Sequence, residues 1–458
     1  MSNAPAGRTS PLSLLTWPVL IVMLAGLLRL STLELKSVWL DEAYSVYAAA
    51  QGHAVIWAGF DPHPPLYFSF LHEWLKLVPV GSEFWLRLPS ALASIGGLIL
   101  IYHLGKRLFD ARFGLLALLL LAFSPLEIWY AQEARFYPFI VLAGLLVAFS
   151  LTTNHWLAWP LYTISLVFGL YMDHTMIPIW LILSALWLVW WWQRGRKPLH
   201  LILWFITSAL AWALFHPWWP YLGNSFNRAV VMYEEFVLNR FPQLPPISVS
   251  LLVQALVVGW LGLIAAVFLA RTLLRSTAIT AIIAPLVLFP FVLIVLLTPF
   301  PRLYIAKRLL VTGWPLVILF VTWLVWQLGN DGRRMAWLMV GVSVMAALVN
   351  VFLVPQPDWR GAAAFVETYA TPTDLAWVVP GFNGIPYDYY AVQYPNRSRG
   401  GRSLEDAAAA ANTIWLVTDR PASPIPPSAA QLWLDENWLL VQDIPDFFRL
   451  TIRRYRAP

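Results

Sequence analysis

The sequence predicts an α-helical, polytopic membrane protein that carries a small α/β domain at its C-terminal end. Of its 458 residues, 59% are hydrophobic and only 12% are charged, whereas about a quarter of the residues of a soluble domain are charged. Apolar runs recur along most of the chain, and after position 353 the composition becomes that of an ordinary soluble domain. We therefore expect a transmembrane domain over 1–353 and an extracytoplasmic α/β domain over 354–458.

The apolar runs predict about eleven transmembrane helices. The first lacks the cleavage pattern of a signal peptide and is expected to remain as an anchor. The expected ranges are 12–30, 86–104, 113–129, 136–151, 157–170, 175–192, 201–215, 249–270, 278–297, 309–328 and 335–353.

Orientation follows from the basic residues, because short cytoplasmic loops of membrane proteins are enriched in Lys and Arg. The loops of this chain that carry most of its Lys and Arg are predicted to be cytoplasmic. The acidic loops and the C-terminal domain are predicted to lie on the opposite, outer side of a bacterial-type inner (plasma) membrane. The formal net charge of +6 belongs largely to loops, so we expect membrane lipids as partners and no nucleic acid. The basic loop residues are Lys106, Arg107, Arg112, Arg194, Arg196, Lys197, Arg271, Arg275, Arg333 and Arg334.

The first outer loop, over 31–85, mixes aromatic, apolar and polar positions. The stretches 44–56 and 66–77 have the pattern of amphipathic helices that lie in the membrane interface. Between them is a proline-rich turn around Asp61 and His63, which cannot continue a helix because proline lacks the backbone N–H.

The C-terminal region alternates between helix and strand, which is typical of a small α/β unit. A helix over 358–370 is expected to begin with Asp358 as its cap, and another is expected over 429–436. Strands are expected over 375–379, 413–418, 440–441 and 448–453.

Two adjacent carboxylates, Asp41 and Glu42, follow the first apolar segment and are flanked by Trp39 and Tyr44. A carboxylate at a membrane surface loses part of its solvation, which favours a role as general base. The alternative is an ordinary hydrated acidic loop. Neighbouring side chains on one backbone point in different directions, so we expect separate roles rather than a shared proton.

Other polar residues of the predicted outer side leave more than one interpretation open. His63 is a base, a metal ligand or a structural hydrogen-bonding residue. Glu133 and Arg135 pair with each other, cap a helix end or place an arginine against an anion. Asp173 and His174 suit a metal, but two neighbouring ligands without a third are weak evidence for one.

Three further cations, Arg302, Lys307 and Arg308, stand on the outer side and depart from the positive-inside trend. Arginine can donate two hydrogen bonds to one phosphate group, whereas lysine contributes a compact positive charge. The cluster therefore suits a lipid phosphate that is a substrate, or else the headgroups of anionic phospholipids.

Several classes of chemistry are excluded or disfavoured. The chain has no cysteine, which excludes disulfides, thiol catalysis and cysteine-ligated metals. There is no glycine-rich phosphate loop, so we do not expect a nucleotide cofactor. No convincing set of metal ligands is evident, and no cofactor is expected.

A series of motifs in a fixed order resembles the GT-C superfamily of integral-membrane glycosyltransferases. The closest likeness is to glycosyltransferase family 39 and its bacterial relatives, which resemble protein O-mannosyltransferases and the aminoarabinose transferase of lipid A. The motifs are Leu40-Asp41-Glu42-Ala43, His63-Pro64-Pro65-Leu66-Tyr67, Gln132-Glu133-Ala134-Arg135-Phe136-Tyr137, Pro301-Arg302-Leu303-Tyr304 and Asp358-Trp359-Arg360.

The resemblance implies an inverting transfer of a sugar from a polyprenyl-phosphate donor to a lipid, glycan or protein acceptor outside the membrane. It implies that Asp41 is the general base or orients the acceptor, and that Glu42 helps to position the acceptor. It also implies that Arg135 and the cluster around Arg302 face the phosphate of the donor. Some enzymes of this superfamily need a divalent metal and others do not. The residues expected to contact substrate are Tyr44, His63, Glu133, Arg135, Tyr137, Arg302, Tyr304, Lys307 and Arg308.

Three other functions remain open at this point. A transporter or flippase of lipid-linked sugars would show charges at the bilayer midplane and two related halves, and neither is evident. A sensory or structural membrane protein would place its ligand in the C-terminal domain. A transferase of phospho-groups or a ligase of lipid-linked glycans would share the present layout. The sequence names neither the sugar nor the acceptor.

Overall fold

The computed structural model describes residues 11–79, 81–193, 197–222, 304–327, 329–397, 403–419 and 427–458. The predicted helices over 249–270 and 278–297 lie outside these residues, as do Arg194, Arg196, Arg271, Arg275 and Arg302. The helices before the C-terminal region are α1 (Pro11–Ser31), α2 (Leu40–Ala49), α3 (His53–Trp57), α4 (Leu66–Leu77), α5 (Glu83–Leu108), α6 (Ala111–Ala122), α7 (Pro125–Ala131), α8 (Tyr137–Leu151), α9 (Ala158–Met172), α10 (Met176–Gln193), α11 (Pro198–Phe215), α12 (Tyr304–Gln327) and α13 (Gly329–Phe352).

The other predicted transmembrane segments all coincide with described helices, and their ends differ by a few residues. Within the described residues, four helices are long and apolar enough to cross a membrane, or up to five if a bent pair forms one span. The apolar parts of α1, α8, α9 and α12 are shorter. The multi-pass membrane fold is therefore confirmed, while the count of eleven stays a prediction.

The predicted third transmembrane helix is not continuous, because α6 and α7 meet at a bend of 61°. Pro125 begins α7, and a proline disfavours helical backbone at the residue before it. A break inside lipid needs partners for its free carbonyl groups. Arg29 Nη1 supplies one for Ala122 at the end of α6, donating to its carbonyl oxygen at 3.0 Å. Asn350 Nδ2 also contacts the first residue of α7, donating to the carbonyl oxygen of Pro125 at 3.0 Å. Side chains from α1 and α13 thus stabilise the bend.

Helices α5 and α6 pack closely through two glycines. A Cβ atom added to Gly114 would lie 2.5 Å from the carbonyl oxygen of Tyr102, and one added to Gly105 would lie 2.8 Å from the Cα of Gly114. Small residues allow membrane helices to approach at backbone distance. The close contact fixes α6 against α5, which carries Arg87 near its N-terminal end.

The loop over 31–85, which is predicted to be the first outer loop, folds into α2, α3 and α4. The single helix predicted over 44–56 is wrong, because Gly52 has a φ of 78° and separates α2 from α3. This left-handed conformation suits glycine, which lacks a Cβ atom. Helix α4 has the predicted bounds, and its buried side chains, Tyr67, Phe68 and Leu71, belong to the main core.

The C-terminal region is a small α/β unit, as predicted. Its four strands have the order β1-β2-β4-β3, with β1 and β2 parallel and the other pairs antiparallel. The closing strands are longer than predicted, and two short helices were not predicted. The elements are α14 (Trp359–Tyr369), β1 (Asp374–Val379), α15 (Gly384–Tyr390), α16 (Leu404–Ala408), β2 (Thr413–Asp419), α17 (Ala429–Asn437), β3 (Leu439–Phe447) and β4 (Leu450–Arg456).

This unit contacts the segment that leads into α2. The backbone N–H of Val38 donates to the Tyr390 hydroxyl at 2.7 Å, and the Ser37 hydroxyl donates to Asp358 Oδ1 at 3.1 Å. Arg360 binds Glu83 at the start of α5, with its Nη2 2.7 Å from Oε1. The C-terminal unit therefore supports the chain immediately before Asp41. The predicted boundary between 353 and 354 stays a prediction.

Candidate functional site

The two adjacent carboxylates occupy the first turn of α2 and have different surroundings. Glu42 is completely buried, whereas Asp41 is half-buried. Successive side chains of a helix point about 100° apart, since a turn has 3.6 residues. The structure therefore places one carboxylate inside the protein and leaves the other near its surface.

Glu42 is held by a two-pronged contact with Arg87 of α5. Arg87 Nε donates to Oε1 and Nη2 donates to Oε2, both at 2.7 Å. The backbone N–H groups of Ala134 and Trp39 also donate to the carboxylate, at 2.8 and 3.3 Å. Glu42 therefore joins α2, α5 and the linker between α7 and α8.

Arg87 uses all five of its N–H groups. Besides the two contacts with Glu42, its Nη1 donates to the carbonyl oxygens of Leu33 and Lys36, at 2.6 and 2.7 Å. Its Nη2 donates to that of Ser37 at 3.1 Å. A guanidinium has five N–H donors, so this one is fully satisfied. It fixes the chain that leads to Asp41.

Asp41 lies against Arg135, which is buried in the linker before α8. Arg135 Nη1 donates to the backbone carbonyl oxygen of Asp41 at 3.2 Å and to the hydroxyl of Ser45 at 3.1 Å. The carboxylate of Asp41 accepts no hydrogen bond from the described residues. Burial lowers the pKa of Arg135, but the charge of Asp41 together with those of Tyr137, Tyr67 and Asp61 holds that pKa above its usual range. Arg135 thus stays a cation beside Asp41.

Glu133 is the second buried carboxyl group of the site. Both of its oxygens lack a hydrogen-bond partner among the described residues. Burial raises the pKa of Glu133 well above its usual range, and the charges of Glu42 and Asp41 raise it further. The carboxyl group faces a small polar cavity lined by Thr32, Lys36, Arg87, Trp129, Gln132, Glu133 and Gln356.

Lys36 forms the other side of this cavity. Its Nζ donates to the carbonyl oxygen of Asn350 at 2.9 Å and lies 4.3 Å from the centre of the Trp129 ring. Burial lowers the pKa of Lys36 to about 8, and the neighbouring charge of Arg87 contributes to this decrease. The cavity is therefore lined by an amino group that loses its proton more readily than usual and by a carboxyl group that retains its proton to a higher pH than usual.

His63 belongs to a hydrogen-bonded cluster next to this site. Its Nδ1 is 2.6 Å from Asp61 Oδ1, and the hydroxyl of Tyr44 donates to Asp61 Oδ2 at 2.7 Å. Burial would raise the pKa of Asp61, but its contacts with His63 lower it below its usual range. The His63 ring lies 5.2 Å from that of Phe136, which follows Arg135.

Asp173 approaches the other nitrogen of the same ring, with its Oδ2 3.8 Å from His63 Nε2. The carboxylates of Asp61 and Asp173 thus contact opposite nitrogens, and the three residues do not present their ligand atoms to one point. Burial lowers the pKa of His174 to about 4, so this histidine is neutral at physiological pH.

Of the remaining residues that were predicted to contact substrate, Tyr137 has a described side chain and the others do not. Tyr137 is buried, and its ring contacts those of Tyr130 and Phe136 with centroid distances of 4.8 and 4.7 Å. Helix α12 begins at Tyr304, and the side chains of Tyr304, Lys307 and Arg308 lie outside the described part of the chain, as does the whole of Arg302.

The structure therefore brings Asp41, Glu42, Glu133 and Arg135 together, and places Tyr44 and His63 beside them. It also adds residues that the sequence reasoning missed, above all Arg87, Lys36 and Asp61. Arg87 had a recognisable signal, because an arginine inside an apolar helix needs a specific partner.

Comparison with known proteins agrees with this architecture. The family model described as dolichyl-phosphate-mannose-protein mannosyltransferase matches residues 62–221. The crystal structure of ArnT from Cupriavidus metallidurans in the apo state matches with a TM-score of 0.52 and 15% identity, over 96% of this chain and 98% of that one. No match is found among curated proteins.

Two further structures match with lower scores. ArnT from the same organism bound to undecaprenyl phosphate has a TM-score of 0.47 and 14% identity, over 96% of this chain and 98% of that one. An oligosaccharyltransferase from Archaeoglobus fulgidus in complex with zinc and sulfate has a TM-score of 0.47 and 12% identity, over 88% of this chain and 68% of that one. The fold of apo ArnT and the family match together confirm the likeness of this chain to the GT-C membrane glycosyltransferases.

Proposed function

We propose that the protein transfers a sugar from a polyprenyl-phosphate donor to a hydroxyl group of a lipid, glycan or protein acceptor at the extracytoplasmic face. Asp41 is the general base, and the anomeric centre is inverted. One observation carries the proposal: a half-buried carboxylate with no hydrogen bond from the described residues lies beside a buried arginine. The description of the matching family, which names a dolichyl-phosphate-linked mannose, supports a lipid-linked donor.

The contacts of the two carboxylates favour Asp41 over Glu42 as the base. A base needs a lone pair within hydrogen-bond reach of the acceptor hydroxyl. Glu42 directs both oxygens at Arg87 and at backbone N–H groups, so a new contact would break a buried ion pair. We therefore assign Glu42 a positioning role, in which it holds the turn that carries Asp41.

The proposed reaction is a direct displacement. The acceptor oxygen attacks the anomeric carbon and loses its proton to Asp41, while the bond between that carbon and the phosphate oxygen breaks. The electron pair of this bond leaves on the polyprenyl phosphate. A nearby fixed cation lowers the barrier, because the leaving phosphate gains negative charge in the transition state.

Arg135 is the described cation best placed for that task. Its Nε is buried and has no hydrogen-bond partner among the described residues, although its Nη1 is engaged. The guanidinium also lies over the ring of Phe136, at 4.7 Å from the centre of the ring. This contact fixes the orientation of the guanidinium group. Arg302, Lys307 and Arg308 remain proposed phosphate contacts on the strength of the sequence, with Tyr304 beside them.

The neighbouring polar groups are proposed to contact the sugar and the acceptor. Glu133 lines the cavity, and both of its oxygens lack a hydrogen-bond partner among the described residues. As a neutral acid it both donates and accepts hydrogen bonds. Tyr44 and His63 share Asp61 and would form the acceptor side, while Tyr137 would contact the donor.

The test is turnover by the full-length protein in lipid vesicles supplied with undecaprenyl-phosphate sugars and a panel of hydroxyl acceptors. Asp41→Asn is expected to reduce turnover by about 10²–10⁴-fold, the usual contribution of a general base. Glu34→Gln, an exposed carboxylate of the same loop, is the matched control and should keep wild-type turnover.

Two outcomes would contradict the proposal. Turnover by Asp41→Asn at the wild-type rate would remove Asp41 from the role of base. Movement of the intact lipid-linked sugar across the vesicle membrane, without transfer by the wild type to any acceptor, would favour the flippase.

The proposed orientation can be tested separately. The chain contains no cysteine, so single cysteines can be introduced without background. A membrane-impermeant maleimide added to intact bacterial spheroplasts should label a cysteine at Ser403 in the C-terminal unit, but not one at Arg112 in the predicted cytoplasmic loop. The reverse pattern would overturn the orientation.

A further inference from the structure

We infer that His53, His72 and Glu73 form a binding site for a divalent transition-metal ion of the zinc type, outside the site described above. One ligand atom from each residue lies within 4.8 Å of the others. His53 begins α3, and His72 and Glu73 are neighbours in α4. The site therefore spans two helices of the first outer loop.

The hydrogen bonding of His72 prepares it as a ligand. Its Nδ1 is 2.7 Å from the backbone carbonyl oxygen of Ala49, and because a carbonyl oxygen only accepts, Nδ1 carries the proton. The neutral ring therefore presents the lone pair of Nε2. Histidine ligands of metals are commonly oriented in this way by a backbone carbonyl.

The distances are close to those of a coordination shell. His53 Nε2 is 2.6 Å from Glu73 Oε1, and His72 Nε2 is 3.9 Å from the same oxygen. Ligands of a tetrahedral zinc ion at about 2.0–2.1 Å from the metal lie roughly 3.3 Å apart. The side chains of His53 and Glu73 are 47% and 54% exposed, so small rotations would bring the three atoms to that spacing.

Two histidines and one carboxylate are a known zinc ligand set that leaves a fourth position for water. Imidazole nitrogen favours zinc, copper and nickel, whereas magnesium and calcium prefer sets made of oxygen ligands. The chemistry of these residues therefore points to the transition metals. The same hydrogen bond of His72 connects the site to Ala49, the last residue of α2, so a bound ion would join α2, α3 and α4.

Two described contacts oppose the ion. His53 Nε2 donates to Glu73 Oε1 at 2.6 Å and must give up that proton to bind a metal, and Lys76 also binds the same carboxylate oxygen. The Nζ of Lys76 is 3.0 Å from Glu73 Oε1, and the Lys76 side chain is half exposed. A positive charge at this distance competes with the metal for the carboxylate. It also provides a specific test, because its removal should strengthen binding at this site and at no other.

The experiment uses full-length protein in detergent, freed of its affinity tag and treated with a chelator. Calorimetric titration with Zn²⁺ should show one ion per chain, and Co²⁺ should give the visible absorption of a tetrahedral complex. His53→Gln and Glu73→Gln should each weaken binding by at least about tenfold, since even the loss of a ligand's outer partner costs 10–100-fold. Lys76→Gln should bind more tightly than the wild type.

His155→Gln, an exposed histidine elsewhere in the chain, is the matched control and should bind as the wild type does. Thermal unfolding in metal-free buffer shows whether each variant is folded. The inference fails if the wild type binds no Zn²⁺, or if His53→Gln and Glu73→Gln bind it unchanged. It also fails if Asp173→Asn removes binding while those two variants retain it. The result is independent of sugar transfer, because none of these residues belongs to the proposed reaction.

Discussion

Two regions of the molecule contain the same pair of side chains, a glutamate and an arginine, in different solvent environments. Glu42 and Arg87 are both buried, with exposed side-chain fractions of 0% and 2%. Glu83 and Arg360 connect α5 to the C-terminal unit, and the side chain of Arg360 is 45% exposed, whereas that of Glu83 is 7% exposed. The first pair lies within the candidate site, and the second lies where two parts of the fold meet.

The difference shows what each pair contributes. Removing one partner of a buried pair leaves an uncompensated charge in a medium of low dielectric constant. An exposed pair is screened by water and salt and contributes little. The fully buried pair therefore fixes the position of Asp41, while the pair with a half-exposed arginine adds less, and adds it to the attachment of the C-terminal unit.

The largest expected effect is that of Glu42→Gln, which leaves the Arg87 charge buried without its counter-ion. We expect a loss of about 3–5 kcal/mol in the free energy of unfolding, measured as a lower midpoint of thermal or chemical unfolding in detergent. When Arg87→Met is combined with Glu42→Gln, the uncompensated positive charge is also removed. The double variant should then lose less stability than the sum of the two single variants, because residues in contact are not additive.

Arg87→Met alone should also be destabilising, since it frees three backbone carbonyl oxygens besides Glu42. If both single variants unfold like the wild type, the buried pair does not organise the site, and the positioning role of Glu42 is wrong.

A smaller decrease in the free energy of unfolding, at most about 1 kcal/mol, is expected for Arg360→Gln, because the contact between Arg360 and Glu83 is partly solvated. The change should shrink further when the salt concentration rises, since salt screens exposed charges. The measurement is the unfolding midpoint at low and high salt, with Glu42→Gln as the reference, whose effect should be nearly independent of salt. Equal salt dependence of the two variants would contradict the comparison.

Much of the fold could be predicted because it depends on local pattern. The apolar runs located all the described long helices, and Asp358 was correctly expected to cap α14, where it accepts a hydrogen bond from the N–H of Gly361. The errors lie where one residue breaks a pattern. Gly52 divides one predicted helix, and Pro125 bends another.

The site could be predicted only in part, since the motifs mark residues but not their partners. Asp41 and Glu42 look equivalent in the sequence. They differ because Arg87, forty-five positions from Glu42, reaches one of them and not the other. The cluster of His53, His72 and Glu73 went unnoticed for the same reason, since the bend between α3 and α4 brings it together.

The smallest expected effect on stability is that of Glu133→Gln, which extends the comparison to a buried glutamate without a hydrogen-bond partner in the described residues. Burial and the charges of Glu42 and Asp41 raise the pKa of Glu133, so the folded protein holds its proton at a pH where the unfolded chain has lost it. Stability then falls as the pH rises above about 4.3, the ordinary value for glutamate. Glutamine resembles the protonated acid and has no such dependence.

The variant should therefore match the wild type near pH 4 and be equally or more stable at pH 7, as judged by unfolding midpoints across that range. Glu42→Gln, measured in parallel, should be less stable at pH 7. A destabilised Glu133→Gln at pH 7 would show that Glu133 is charged and paired in the folded protein. In the transfer assay, Glu133→Gln should keep most of the wild-type turnover, because an amide, like a neutral carboxyl group, both donates and accepts hydrogen bonds.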